Sequence, residues 1–127
     1  MKYLLDTQVL LWIFGNFDLL SSTSVPIITN PENSLLVSKV SFWEASIKVS
    51  IGKLHLPFSL GQLVDETLAN NIAILDIDLS HILYQSELPL HHRDPFDRLI
   101  ISQSSQENLP GISSDDTFSL YDIQRIW

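Results

Sequence analysis

The stretch KYLLDTQVLLWIFGN, residues 2–16, changes its hydrophobic pattern at a single aspartate. Residues 2–5, KYLL, form a short apolar run that is typical of a buried strand. After Asp6, residues 7–16 carry apolar side chains at helical spacing and end in a Gly-Asn pair, which is a helix stop signal. A strand that leads through one acidic residue into a helix is typical of α/β folds with a parallel sheet.

The remainder of the chain repeats this alternation of strand and helix patterns. Further strands are predicted at 34–38, 72–78, 109–113 and 123–127, helices at 39–53, 61–71, 79–88 and 95–108, a turn-rich segment with a short helix at 21–34, and a loop or short helix at 115–122. No hairpin signal connects any two strands, so the sheet is expected to be parallel. The length of 127 residues predicts one α/β domain that spans 1–127.

The composition limits the class of protein. The chain has no cysteine, which excludes disulfides and thiolate metal sites and fits a reducing cytoplasm. Asp6 interrupts the apolar N-terminal run, and no apolar stretch has the length of a membrane span, so a soluble, cytoplasmic protein without membrane contact is expected. The net charge of −8 disfavours a simple electrostatic grip on nucleic acid, unless some of the acids bind divalent cations.

Four acidic residues occupy one type of position, at the end of a predicted strand or in the first turns of the following helix: Asp6, Glu44, Asp97 and Asp115. In a parallel α/β sheet these positions lie along one edge, which is where ligands bind. Carboxylates that converge repel one another unless protons or cations intervene. Oxygen ligands without cysteine favour Mg²⁺ or Mn²⁺, and two such ions can hold both sides of a phosphodiester during hydrolysis.

Each of these acids also has a local structural explanation. Asp6 can cap the helix that follows it, and Glu44 can lie on a helix surface beside solvent. Asp94 is well placed to cap a helix that begins at Pro95, with Asp97 as an acid of the first turn. The pair at 115–116 can form a solvated turn. Only the convergence of several acids in space separates a catalytic interpretation from these local ones.

Some polar residues near these positions are candidates for supporting roles. The hydroxyl of Thr7 could hold a water or phosphate at the site, and Ser114 is a similar candidate. His91 and His92 are interpreted as loop residues that face the substrate, because adjacent histidines seldom bind one ion well. His55 and His81 are interpreted as ordinary histidines.

Four stretches resemble, in order, the motif blocks of PIN-domain proteins. They are YLLDTQVLLW, VSFWEASIKVSIGKLHLP, LPLHHRDPFDRLIISQS and SSDDTFSLY, and the subgroup most similar to them contains VapC-type toxins of bacterial type II toxin–antitoxin pairs. The resemblance implies a PIN-like three-layer α/β/α sandwich with a central parallel β-sheet. It also implies a Mg²⁺- or Mn²⁺-dependent ribonuclease whose metal-binding and catalytic acids are Asp6, Glu44, Asp97 and Asp115, supported by Thr7, with Asp94 as a further acid.

The last motif departs from the usual pattern of an apolar residue, threonine, any residue and aspartate. The stretch ISSDD has Ser113 at the threonine position, which leaves open whether Asp115 or Asp116 points inward. The spacing to Phe118 favours Asp115 as the ligand, with Asp116 in a supporting role.

The resemblance further implies a homodimer, an RNA substrate and a cognate antitoxin protein. Lys48, Arg93 and Arg98 are candidates for RNA contacts, and part of the apolar cluster of Trp12, Phe14 and Phe17 is a candidate for a dimer or antitoxin interface. The alternative function is a non-catalytic PIN-fold module that uses its groove to bind a protein.

Overall fold

The computed structural model of the protein describes all residues from Met1 to Trp127. The strands are β1 (Lys2–Leu5), β2 (Ser34–Ser38), β3 (Ala73–Leu75), β4 (Gly111–Ile112) and β5 (Arg125–Ile126). The α-helices are α1 (Thr7–Gly15), α2 (Ser24–Thr29), α3 (Lys39–Ser50), α4 (Leu60–Ala69), α5 (Leu79–Glu87) and α6 (Pro95–Gln106), with short 3-10 helices at Phe17–Leu19 and Asp116–Leu120. None of the helices combines the length and hydrophobicity that a membrane span requires.

The five strands form one sheet in the order β3-β2-β1-β4-β5, and every pair is parallel. The chain builds outward from β1 to β3 on one side and then returns to add β4 and β5 on the other. Leu4 therefore pairs with Leu36 on one side and with Gly111 on the other. A crevice forms at the carboxyl ends of strands where the winding reverses in this way, and Asp6 directly follows β1 at that point.

Alternating side chains of β1 divide the core into two layers. Tyr3 and Leu5 belong to a cluster that includes Val9 of α1 and Leu63 of α4, whereas Leu4 belongs to a second cluster on the other face of the sheet. That second cluster is filled mainly by α6 and its neighbours. Helices therefore cover both faces of a parallel sheet, and the predicted α/β/α sandwich is confirmed.

Most elements are shorter than their sequence patterns, and two of these differences affect the site or the edge of the sheet. The strand predicted at 72–78 pairs only over Ala73–Leu75. The third helix ends at Ser50 because Gly52 adopts the left-handed conformation, with φ of 75°. The turn is closed by the backbone N–H of Lys53, which donates to the carbonyl oxygen of Lys48 at 2.8 Å. This turn brings Lys53 to the wall of the pocket described below.

Candidate active site

A pocket of about 470 Å³ lies beyond the carboxyl ends of the central strands. Its wall contains five carboxylates: Asp6, Glu44, Asp94, Asp97 and Asp115. Its other polar residues are Thr7, Gln8, Lys48, Lys53 and Ser114. The fold thus brings together all four acids that share a position type in the sequence, together with Asp94.

Asp6 serves both as a helix cap and as a wall of the pocket. Its Oδ1 accepts a hydrogen bond from the backbone N–H of Val9 at 2.7 Å, and its Oδ2 accepts one from the hydroxyl of Ser113 at 2.5 Å. The side chain is buried. Burial, with a smaller effect of nearby carboxylates, raises the pKa of Asp6 to about 6 and outweighs the opposite effect of these two hydrogen bonds.

Glu44 is buried and does not lie on the helix surface, where the neighbouring Trp43 is 60% exposed instead. Its Oε2 accepts from the ammonium group of Lys48, one helical turn later, at 2.5 Å. Its Oε1 is buried without any hydrogen-bond partner. The bond to Glu44 raises the pKa of Lys48, so this ammonium group stays charged and neutralises part of the pocket. One oxygen of Glu44 therefore remains without a donor or cation.

Asp94 and Asp97 divide two roles at the start of α6. The Oδ1 atom of Asp94 accepts from the backbone N–H groups of Phe96 at 2.9 Å and Asp97 at 3.1 Å, so Asp94 caps the helix. The Asp97 carboxylate has no comparable hydrogen bond; the group facing it is Nε2 of His92, 3.6 Å from Oδ2. Burial, followed by the charges of Asp94 and other pocket carboxylates, raises the pKa of Asp97 to about 8.

Of the two adjacent aspartates near the C-terminus, only Asp115 lines the pocket. Its Oδ1 accepts from the backbone N–H of Thr117 at 2.9 Å, which holds it at the start of the second 3-10 helix. The side chain of Asp116 is 98% exposed and pairs with Arg125 at 3.1 Å. The supporting role predicted for Asp116 is therefore wrong, because its carboxylate points to solvent and away from the site.

Hydroxyl groups contribute at positions that the sequence identified only in part. Thr7 donates to the hydroxyl of Ser41 at 2.9 Å, so its proton is directed into the fold. Ser114 lines the pocket, but the hydroxyl that binds Asp6 belongs to Ser113. Since β4 ends at Ile112, Ser113 is the first residue past the strand and its side chain points back toward Asp6. Its place at the usual threonine position was the signal that could have identified it.

The three basic candidates for RNA contacts have different surroundings. Lys48 lines the pocket, and Arg93 is exposed in the loop before α6. Arg98 is only 4% exposed, and its guanidinium donates to the carbonyl oxygens of Gln85, Leu88 and Pro89 and to the Tyr121 hydroxyl. The prediction of an RNA contact at Arg98 is wrong, because the side chain is buried and its two terminal nitrogens donate to protein acceptors.

A second group of potential metal ligands lies outside the pocket. One ligand atom each of Asp78, His81 and Glu107 lies within 4.8 Å of the others. The backbone N–H of Asp78 donates to Nδ1 of His81 at 3.0 Å, so Nδ1 carries the lone pair and Nε2 carries the proton. That proton is directed at Oε1 of Glu107, 2.9 Å away. A cation at Nε2 would have to displace this proton, so we interpret the group as a brace in which buried His81 of α5 pairs with exposed Glu107 at the end of α6.

The residues of the pocket fit a divalent cation. Carboxylate oxygens are the donors that Mg²⁺ and Mn²⁺ prefer. Oε1 of Glu44 is a buried charged oxygen without a partner, and such an atom is unfavourable unless a ligand satisfies it. The pKa values of Asp6 and Asp97 are raised first by burial and then by neighbouring carboxylates, as expected for acids that share a site without a cation. A cation among Asp6, Glu44, Asp97 and Asp115 would satisfy the unpartnered oxygen of Glu44 and would favour the ionised forms of Asp6 and Asp97.

We expect the metal-free protein to become less stable as the pH rises from about 5 to about 9. The pKa of Asp6 is raised to about 6 and that of Asp97 to about 8, from 3.8 in an unfolded chain. Both carboxyls therefore bind protons more tightly in the folded protein than in the unfolded chain. The stability that these protons contribute is complete below about pH 4. It is lost as the pH rises through about 6 for Asp6 and about 8 for Asp97. Urea unfolding at a series of pH values in EDTA measures the loss.

The Asp97→Asn variant is the matched control, since its amide does not titrate and the upper part of the pH dependence should disappear. Millimolar Mg²⁺ should restore the stability of the wild type at high pH, because the ion binds only the folded site. Metal-free stability that stays constant or increases over this pH range would contradict the prediction.

Comparison with known proteins assigns the family. The family model described as the PIN domain matches residues 3–124. No curated protein matches the sequence. Among solved structures, one similar chain belongs to VapBC2 from Rickettsia felis bound to a DNA fragment from its promoter. It has a TM-score of 0.72 at 17% identity, and the match covers 98% of this chain and 97% of that one.

Two further solved structures show the same fold. A chain of VapBC-1 from nontypeable Haemophilus influenzae has a TM-score of 0.61 at 19% identity, over 98% of this chain and 96% of that one. A chain of DNA-bound VapBC from Salmonella typhimurium has a TM-score of 0.61 at 18% identity, over the same shares of the two chains. The match of the family model over nearly the whole length, on a fold with an acidic pocket at the carboxyl edge of its sheet, shows that this chain belongs to the PIN domain family.

Proposed function

We propose that the protein is a Mg²⁺- or Mn²⁺-dependent endoribonuclease and acts as the toxin of a type II toxin–antitoxin pair. The observation that carries the proposal is the unpartnered Oε1 of Glu44, which lies buried in the wall of a pocket with four other carboxylates. Membership of the PIN domain family supports a nuclease, and the acidic pocket supports a requirement for a divalent ion.

Each acid of the pocket has a defined task in this proposal. A bound Mg²⁺ or Mn²⁺ ion would supply Lewis-acid stabilisation of the charge that develops on the phosphate and would lower the pKa of water. Glu44 and Asp97 offer the oxygens that are least engaged by protein donors. Asp6 is held in one orientation by Ser113 and Val9, and Asp115 by Thr117, so little reorganisation is needed when the ion binds.

Lys48 and Arg93 are proposed to draw the RNA strand to this otherwise acidic site. The Lys48 side chain is 44% exposed, so its ammonium group contacts Glu44 while remaining accessible from the pocket. Because the chain carries a net charge of −8, the local cations and the bound divalent ion must together offset repulsion of the RNA backbone. We therefore expect binding of RNA to depend strongly on the divalent ion.

A cognate antitoxin and a second copy of this chain are the proposed protein partners. The similarity to chains of VapBC structures supports a partner that covers the toxin. On the surface, Phe17 and Leu19 are 40% and 50% exposed beside α1, and half-buried Trp12 packs against Trp127 with a centroid separation of 5.7 Å and a tilt of 39° between the rings. Exposed apolar and aromatic side chains are the kind of surface that protein partners cover.

Cleavage of single-stranded RNA by the purified chain tests the proposed activity. We expect cleavage in Mg²⁺ or Mn²⁺ and none in EDTA, with recovery when excess Mn²⁺ is added back. The Glu44→Gln variant keeps the shape but weakens the bond to Lys48 and the cation site, and it should be inactive under all conditions. Cleavage that persists in EDTA would exclude the metal mechanism. Inactivity of the wild type with every ion, despite tight binding of a partner protein, would favour a non-catalytic PIN-fold module.

A further inference from the structure

We propose that His92 is a positioning residue whose Nε2–H group orients the Asp97 carboxylate, and that Tyr121 sets the tautomer that makes this possible. The inference rests on the proposed function, because Asp97 matters for catalysis only if it binds the ion. From the sequence, His92 is predicted only to be a loop residue that faces the substrate.

His92 is held between the pocket and the core. Its ring is 18% exposed, and its Nδ1 lies 2.8 Å from the hydroxyl oxygen of Tyr121. Its Nε2 is buried without a hydrogen-bond partner and lies 3.6 Å from Oδ2 of Asp97. That separation is slightly beyond a hydrogen bond, and contacts of this kind often tighten when an active site is loaded. One edge of the ring is thus anchored, and the other faces the carboxylate.

The direction of the hydrogen bonds follows from Arg98. A guanidinium can only donate, and Nη1 of Arg98 lies 3.1 Å from the Tyr121 hydroxyl, so the hydroxyl oxygen accepts from it. We assign Nδ1 of His92 as the acceptor of the hydroxyl proton, because no other acceptor faces that proton. Neutral imidazole carries one proton, so that proton resides on Nε2 and is directed at Asp97. The chain of donors therefore runs from Arg98 through Tyr121 and His92 to Asp97.

Arg98 holds this series of hydrogen bonds in place. Three main-chain carbonyl oxygens, of Gln85, Leu88 and Pro89, fix its guanidinium at 2.8–3.1 Å. Tyr121 is 6% exposed and cannot readily turn away from it. A carboxylate that accepts one fixed N–H bond keeps one oxygen oriented and the other available to a cation, and losing such a supporting partner typically weakens metal binding about 10- to 100-fold.

Three variants separate the contributions of His92 and Tyr121 to this series of hydrogen bonds. His92→Leu fills the space but removes the donor, and His92→Gln restores an N–H group near the position of Nε2. Tyr121→Phe keeps the ring and removes the hydroxyl that sets the tautomer. Far-UV spectra and thermal melts of each variant confirm that it is folded before any other measurement. The readouts are the Mn²⁺ affinity by electron paramagnetic resonance, the turnover of RNA, and the ¹⁵N shifts of the His92 ring.

In the wild type at mildly alkaline pH, the ¹⁵N shifts should report the Nε2–H tautomer, and in Tyr121→Phe they should move toward Nδ1–H. The Mn²⁺ affinity should fall about 10- to 100-fold in His92→Leu and in Tyr121→Phe, and His92→Gln should recover most of it. An Nδ1–H tautomer in the wild type, or a His92→Leu variant with wild-type affinity, would overturn the inference. A wild type that binds no Mn²⁺ and cleaves no RNA would instead refute the proposed function, and the tautomer alone would then decide whether His92 orients Asp97.

Discussion

Replacing Asp97 by asparagine is expected to reduce RNA cleavage by at least about 10²–10³-fold at saturating Mn²⁺, as removal of one electrostatic group does in other enzymes. Asparagine has the same shape but lacks the negative charge that a cation requires. The fold should be retained, because the Asp97 side chain makes no hydrogen bond that the helix depends on. The metal-free variant should even melt at a higher temperature, since burial and the charge of Asp94 no longer oppose an ionised group there.

Asp94→Asn is the matched control, because it removes the same charge three residues away. Asn is as good a helix cap as Asp, so the bonds to the N–H groups of Phe96 and Asp97 should persist. We expect only a modest loss of activity, through weaker positioning of the site. An inactive Asp94→Asn beside an active Asp97→Asn would show that the two roles are exchanged, and full activity of both would leave α6 without a catalytic acid.

The architecture and the acids of the site could be predicted because they depend on backbone geometry. A short apolar strand, an acid at its end and a helix after it define a parallel α/β unit, and the acid must then lie at the carboxyl edge. Asp6 illustrates this, since its position after β1 makes it both a helix cap and a pocket residue. The two interpretations of Asp6 in the sequence are therefore compatible, and the same is true of Asp94.

The errors concern the direction of individual side chains, which spacing does not determine. Asp115 and Asp116 differ by one residue, and only the turn into the second 3-10 helix sends one inward and the other to Arg125. Ser113 rather than Ser114 binds Asp6, because β4 ends one residue before it. For His92 the sequence indicated only a loop residue that faces the substrate, because its contact with Tyr121 joins residues that are 29 apart in the chain. Such contacts arise from packing between elements.

Arg98 shows how a charge pattern can mislead, and it supports a strong prediction about stability. The guanidinium lies against the end of α5, where the helix dipole favours a cation and the carbonyl oxygens of Gln85 and Leu88 accept from it, the former in addition to the backbone N–H of Leu88. Arg98→Met keeps most of the volume but leaves these carbonyls without a charged donor. We expect the free energy of unfolding to fall by roughly 3–5 kcal/mol. This is a large share of the total for a domain of this size and corresponds to a drop in melting temperature of about 12–20 °C.

Arg93→Ala is the control, since Arg93 is an exposed residue in the loop before α6 and its loss should change stability by no more than about 0.5 kcal/mol. Thermal and urea unfolding of both variants give the stability, and RNA binding at several salt concentrations tests the alternative. A residue that contacts phosphate would, when replaced, weaken RNA binding and reduce its salt dependence without lowering the melting temperature. If Arg98→Met weakens RNA binding without lowering the melting temperature, the wild-type guanidinium must contact RNA and not its carbonyl partners. If Arg98→Met melts far below Arg93→Ala, the guanidinium of Arg98 holds α5 against α6. Arg98 then affects the site only through Tyr121 and His92.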